Sequence, residues 1–88
     1  MKITEVKVVP RSGDSLKAFA SIIIDDAFIV KNIKIIEGKN GLFISMPSLK
    51  NKNGEFRDIA HPINTETRNE IEKMIFDKYN EVIQSQEN

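Results

Sequence analysis

The sequence predicts an α+β domain in which a small curved antiparallel sheet of four to five strands is covered by one C-terminal amphipathic helix. Three observations lead there. β-Branched and aromatic residues recur at short spacing through the first two thirds of the chain, separated by turn-forming residues, as in strands joined by hairpins. In the last third the apolar spacing lengthens to that of a helix. The chain has 88 residues, 40% of them hydrophobic and 30% charged, which is the size and balance of one globular domain.

Residues 3–9 are the first expected strand. Arg11-Ser12-Gly13-Asp14-Ser15 interrupts it with residues that favour turns through glycine's freedom in φ and short side-chain hydrogen bonds. Two further apolar segments, 17–25 and 28–37, meet at Asp25-Asp26, a junction tight enough for antiparallel pairing. In the second of these, strict alternation puts Ile29, Ile33 and Ile35 on one pleat face and Lys34 and Ile36 on the other. Lys31 and Lys34 therefore fall on opposite faces unless a twist or bulge intervenes. Residues 38–41 turn the chain into a fourth strand, 42–46, which Pro47 ends because it lacks the ladder donor. Asn53-Gly54 is a strong tight-turn pair, and residues 56–60 return as a short fifth strand.

Ile71, Met74, Ile75, Tyr79 and Val82 then recur at helical spacing, with Phe76 and Ile83 broadening the stripe. Pro62 stops the preceding strand, Asn64 or Thr65 caps the helix, and Glu66 stands in the first turn, where the helix dipole favours a carboxylate. The domain is expected to span 1–84, with 85–88 a polar tail that frays.

Composition sets limits on function. With no cysteine there is neither a disulfide framework nor a thiolate zinc site. The opening residues lack the apolar stretch of a secretory signal, and no apolar run approaches the roughly 20 residues needed to cross a bilayer. A cytoplasmic location is expected. Thirteen basic residues balance thirteen acidic ones, yet they are unevenly placed. Residues 31–57 carry Lys31, Lys34, Lys39, Lys50, Lys52 and Arg57 against Glu37 and Glu55, a local charge of +4. Residues 64–88 carry three basic side chains against six acidic ones, a local charge of −3.

Residue types that carry catalysis are sparse. His61 is the only histidine and has neither nucleophile nor metal partner at motif spacing, so a structural role beside Pro62 explains it best. Asp25-Asp26 serves its turn rather than acid–base work. Gly38-Lys39-Asn40-Gly41 lacks the spacing of a phosphate-binding loop. No cofactor, metal or enzymatic activity is expected. Lys50, Asn51, Lys52 and Asn53 make a basic, amide-rich loop able to reach phosphates and base edges. Phe76 and Tyr79 belong to the core rather than to a base-stacking platform.

The string GLFISMPS at 41–48, followed by NGEFRDIAHPIN at 53–64, closely resembles the signature of the SpoVG (stage V sporulation protein G) family. There a G-L-F-x-x-M-P-S strand and loop leads into G-E-F-R-D-I-A-H-P-I-N. The likeness extends more loosely through Ile3-Thr4-Glu5-Val6, residues 18–28 and 33–38, and the closing helix. It implies a homodimer that binds DNA site-selectively and also some RNA, regulating gene expression with links to sporulation, septation or virulence in bacteria. Lys34 stands where the family usually has arginine, and Lys50 lies in the basic stretch after M-P-S, so the resemblance makes these two the contacts. Leu49 departs from the pattern, which commonly has a basic residue there, while Lys31 and Lys52 add charge that offsets it. In the EFRDIAHPIN segment the alternation suits a packed strand entering the helix, and Arg57 alone stands out as a further nucleic-acid contact. The alternative class is an interaction module of the division or regulatory machinery that does not touch nucleic acid.

Overall fold

Chain order and sheet order coincide, because every strand of the main sheet is joined to the next by a short hairpin connection. The computed structural model describes residues 1–86. Strands β1 (Ile3–Pro10), β2 (Leu16–Ile24), β3 (Phe28–Gly38) and β4 (Gly41–Ser45) form a four-stranded antiparallel sheet in the order β1-β2-β3-β4. Strands β5 (Ser48–Lys50) and β6 (Phe56–Asp58) pair only with each other, and helix α1 (Thr65–Gln86) closes the chain.

Each turn has a local cause. At the β2–β3 junction Asp25 and Asp26 both adopt left-handed φ, 52° and 53°, a conformation that aspartate tolerates better than most residues. The Ala27 N–H donates to the Ile24 carbonyl oxygen at 2.9 Å. Lys2 and Thr4 brace the junction: the Lys2 N–H donates to Asp25 Oδ1, and the Asp26 N–H donates to Thr4 Oγ1. The two acids therefore serve the turn, as expected.

One face of the sheet is dry. Ile3, Val8, Ala18, Ala20, Ile22, Ile33, Ile35 and Ile44 form its core side, against Ile71, Ile75 and Tyr79 of α1. Ile22, Ile33, Ile35 and Ile75 are fully buried, and each such side chain contributes about 1.5–3 kcal/mol relative to exposure. The helical stripe is the one read from spacing, with Met74, Phe76, Val82 and Ile83 packed at its margins. Asn64 is the cap, since its Oδ1 accepts from the Thr67 N–H at 2.7 Å. The helix runs through Gln86, past the expected start of a frayed tail, and the rest of that tail, Glu87 and Asn88, lies outside the described residues. No helix among the described residues is long and apolar enough to cross a membrane.

The structure differs from strict alternation in β3. Ala20 pairs with Ile33 and Ile22 pairs with Val30, so Ser21 faces two residues, Lys31 and Asn32. This is a β-bulge, and Asn32 makes it by taking a φ of 63°. The extra residue exchanges the pleat faces on its N-terminal side. Val30 joins Ile33 and Ile35 on the core side, while Ile29, expected there, lies on the outer side and is 44% exposed.

A second difference follows Pro47. The expected fifth strand does not extend the main sheet or pack as a buried strand. Residues 56–58 pair back on β5 as a short ribbon, and Phe56 is 71% exposed. Pro47 has no N–H to continue a ladder, so the chain leaves the sheet there. The Ile59 N–H donating to the Pro47 carbonyl oxygen at 2.8 Å ties the base of the ribbon.

Candidate nucleic-acid interface

The sheet face opposite the helix is open, and its residues follow from the register. One row, Val9–Phe19–Lys34–Ser45, crosses all four strands, and directly paired residues in antiparallel strands share a face. Beside it Lys7 pairs with Ser21, and the bulge sets Lys31 next to that pair. Arg11 follows β1 and lays its guanidinium over the Phe19 ring, 5.3 Å from the centroid, a cation–π contact.

This outer face gathers Lys7, Arg11, Lys31 and Lys34, whereas Glu5 is the carboxylate on the same side of β1. Glu5 is held by Lys7 at 3.6 Å. Arg11, Lys31 and Lys34 enter no ion pair among the described residues. Their charges are uncompensated and meet water, so a polyanion can approach without first breaking a salt bridge. Two shallow recesses share the Phe19 ring. One, about 230 Å³, is bordered by Lys7, Val9, Lys31 and Asn32. The other, about 340 Å³, is bordered by Asn32, Lys34, Pro47, Leu49 and Ile59.

The ribbon flanks the second recess. Leu49 pairs with Arg57, which places Arg57 on the ribbon side that borders the sheet. Its guanidinium reaches Glu55 at 4.0 Å with both side chains exposed, an ion pair worth little. Lys50 pairs with Phe56 on the reverse side, and Lys52 sits at the tip. Asn51 holds the turn together, because its Oδ1 accepts from the Asn53 and Glu55 N–H groups, which leaves only its Nδ2 to meet a ligand. Of the five cations singled out from sequence, Lys31 and Lys34 come together on one face and Arg57 borders it. Lys50 lies on the reverse side of the ribbon and Lys52 at its tip.

Lys7, Arg11, Phe19 and Asn32 were not found by sequence reasoning. A signal existed in β3. Lys31-Asn32 is a polar pair inside an otherwise β-branched strand, and strict alternation would send Lys31 into the core row, a conflict that a bulge resolves. Phe19 between Ala18 and Ala20 is a second signal, one large aromatic alternating with two small core residues.

Elsewhere the chemistry is sparse. His61 is exposed, with Nδ1 3.0 Å from the carbonyl oxygen of Pro62. Among the described residues no group of three or more metal-ligating side chains gathers. Tyr79 is buried in the core, as expected.

A four-stranded sheet with a helix on one face and clustered cations on the open one, flanked by a two-stranded ribbon, defines a small two-layer α+β domain with charge segregated between its layers. The chain belongs to the SpoVG family, whose model matches residues 1–81. It is 54% identical over 85 residues, 97% of this chain and 79% of the relative, to a protein of Bdellovibrio bacteriovorus named "Putative septation protein SpoVG". Proteins of the same name in Clostridium novyi and Caldanaerobacter subterraneus are 53% and 48% identical, over 98% and 100% of this chain and 86% and 98% of theirs.

Proposed function

We propose that this chain is a non-enzymatic, cytoplasmic regulator that binds DNA, and RNA as well, as a homodimer, and that the outer sheet face meets the phosphates. The observation that carries this reading is the bulge at Asn32, which gives Lys31 and Lys34 one common face beside Arg11 and Lys7. Phosphate contacts supply most of the affinity of such proteins, and clustered unpaired cations are what they require. The names of the relatives support a role in septation or sporulation.

A homodimer is supported by apolar side chains left in water between β5 and α1. Phe56, on the reverse side of the ribbon, is 71% exposed, and Ile63 is 90% exposed. Scattered exposed apolar residues are ordinary, but a run of them on one projecting segment marks a contact surface. An interaction module of the division machinery would use that same segment without touching nucleic acid.

The test is a titration of fluorescein-labelled genomic duplex fragments, read by anisotropy at several salt concentrations. Lys31→Ala/Lys34→Ala is expected to weaken binding strongly and to flatten the salt dependence by about 0.9 for each phosphate that a subunit no longer neutralises. Lys50→Ala/Lys52→Ala is expected to act less, because Lys50 lies on the reverse side of the ribbon and Lys52 at its tip. Equal affinity and slope for wild type and Lys31→Ala/Lys34→Ala would remove the sheet face from the mechanism.

A further inference from the structure

The outer face has a feature that phosphate binding alone does not require. Phe19 stands at its centre, half-buried between Val9 on one neighbouring strand and Lys34 on the other. Both recesses open onto its ring, and Asn32 borders both. Arg11 reaches over the ring without a carboxylate partner among the described residues. An aromatic ring surrounded by free cations on an open sheet is complementary to a base with its phosphates on either side.

We propose that this face takes single-stranded nucleic acid, with one base stacked on Phe19 in the place over the ring that Arg11 occupies, the displaced Arg11 together with Lys31 and Lys34 on the flanking phosphates, and the Asn32 amide at the base edge. The proposal rests on the nucleic-acid reading above and names its substrate class. The strand state follows from geometry. Bases of a duplex already stack on each other, so a sheet residue reaches a base face only when the base is unpaired or extruded. The helix, which could enter a major groove, lies on the other side of the sheet and exposes Glu66, Glu70, Asp77 and Glu81. Asn32 holds a backbone conformation that few side chains accept, and its amide offers both a donor and acceptor for a base edge.

Two probes decide it: a labelled mixed-sequence single strand of about a dozen nucleotides and the same sequence annealed to its complement, each titrated with the full chain by anisotropy. The single strand is expected to bind more tightly than the duplex. Phe19→Leu, which keeps an apolar side chain in the sheet, should weaken single-strand binding about ten-fold, within the range for removing one stacked base. It should weaken duplex binding less than single-strand binding and leave the salt slope unchanged, because no charge is removed. Phe19→Tyr should bind within a few-fold of wild type. The chain has no tryptophan, so Phe19→Trp adds a lone reporter whose emission should be quenched by the single strand and not by the duplex. That readout also guards against a poorly folded Phe19→Leu. Unchanged single-strand affinity in Phe19→Leu together with unquenched Phe19→Trp would overturn the stacking site, while continued dependence on Lys31 and Lys34 would leave the broader reading standing. Preference for duplex with sensitivity at Lys50 and Lys52 would assign the site to the β5–β6 ribbon instead. Failure of wild type to bind either probe would remove both readings.

Discussion

Asn32 decides which side chains share a face, and it does so through one backbone angle. In the left-handed region asparagine is tolerated, glycine is unstrained and a β-branched residue is penalised by about 1–2 kcal/mol. Asn32→Gly is therefore expected to keep the bulge and melt within about 0.5 kcal/mol of wild type. Asn32→Val should be destabilised by about 1–2 kcal/mol and should bind more weakly as well, because relaxing the bulge takes Lys31 away from Lys34. Urea unfolding of both variants, with binding measured in parallel, checks this, and equal midpoints for the two would mean that the positive φ at Asn32 does not constrain the strand. The angle was not legible in the sequence, since alternation is blind to insertions and Asn32 looks like any polar residue on a strand. The conflict it resolves was legible, because Lys31 in a row with Ile33 and Ile35 has no stable place.

The secondary elements were easier to read than their partners. α1 follows from side-chain spacing alone, because Ile71, Ile75 and Tyr79 lie on one stripe whatever they pack against, and Asn64 marks its start chemically. Two variants test that element. Asn64→Ala should cost about 1 kcal/mol by removing the hydrogen bond to the Thr67 N–H. Ile75→Asp, which places a carboxylate at a fully buried position, should unfold the domain, since an unpaired buried charge costs several of the roughly 5–15 kcal/mol available. Circular dichroism melts read both, and a native melting temperature for Ile75→Asp would mean the stripe faces water. The ribbon was harder to foresee. Phe56, Arg57 and Asp58 have the composition of a strand, but composition does not say which strand receives them. That depends on where Pro47 releases the chain and on how Asn51 closes the turn, a matter of three-dimensional reach rather than local preference.

At the scale of the whole molecule the chain is somewhat extended. The radius of gyration is 13.4 Å, against about 12 Å for a compact domain of this length. Phe56 and Ile63 stand in water on the segment before the helix, and a partner subunit would cover them. Light scattering at micromolar concentration is expected to give twice the chain mass, and Phe56→Ser/Ile63→Ser to give one chain mass with the helix intact. A monomeric wild type would leave those residues without the role proposed for them. The charge pattern of the fold was legible as a difference between the two halves of the sequence. Its assignment to opposite layers was not, because it required the helix to cover one particular side of the sheet.

That separation of charge has a consequence for many copies on one strand. Each molecule carries as many acidic as basic residues, so a strand bound along the outer faces is not driven toward charge reversal as it fills. In the proposed binding mode lysine and arginine would cover the phosphates, and the helices would present their carboxylates outward. The coated strand would keep an anionic skin that repels other coated strands much as bare strands repel each other. Occupancy along a strand and condensation between strands would thereby be uncoupled, which a protein of uniformly positive charge cannot achieve.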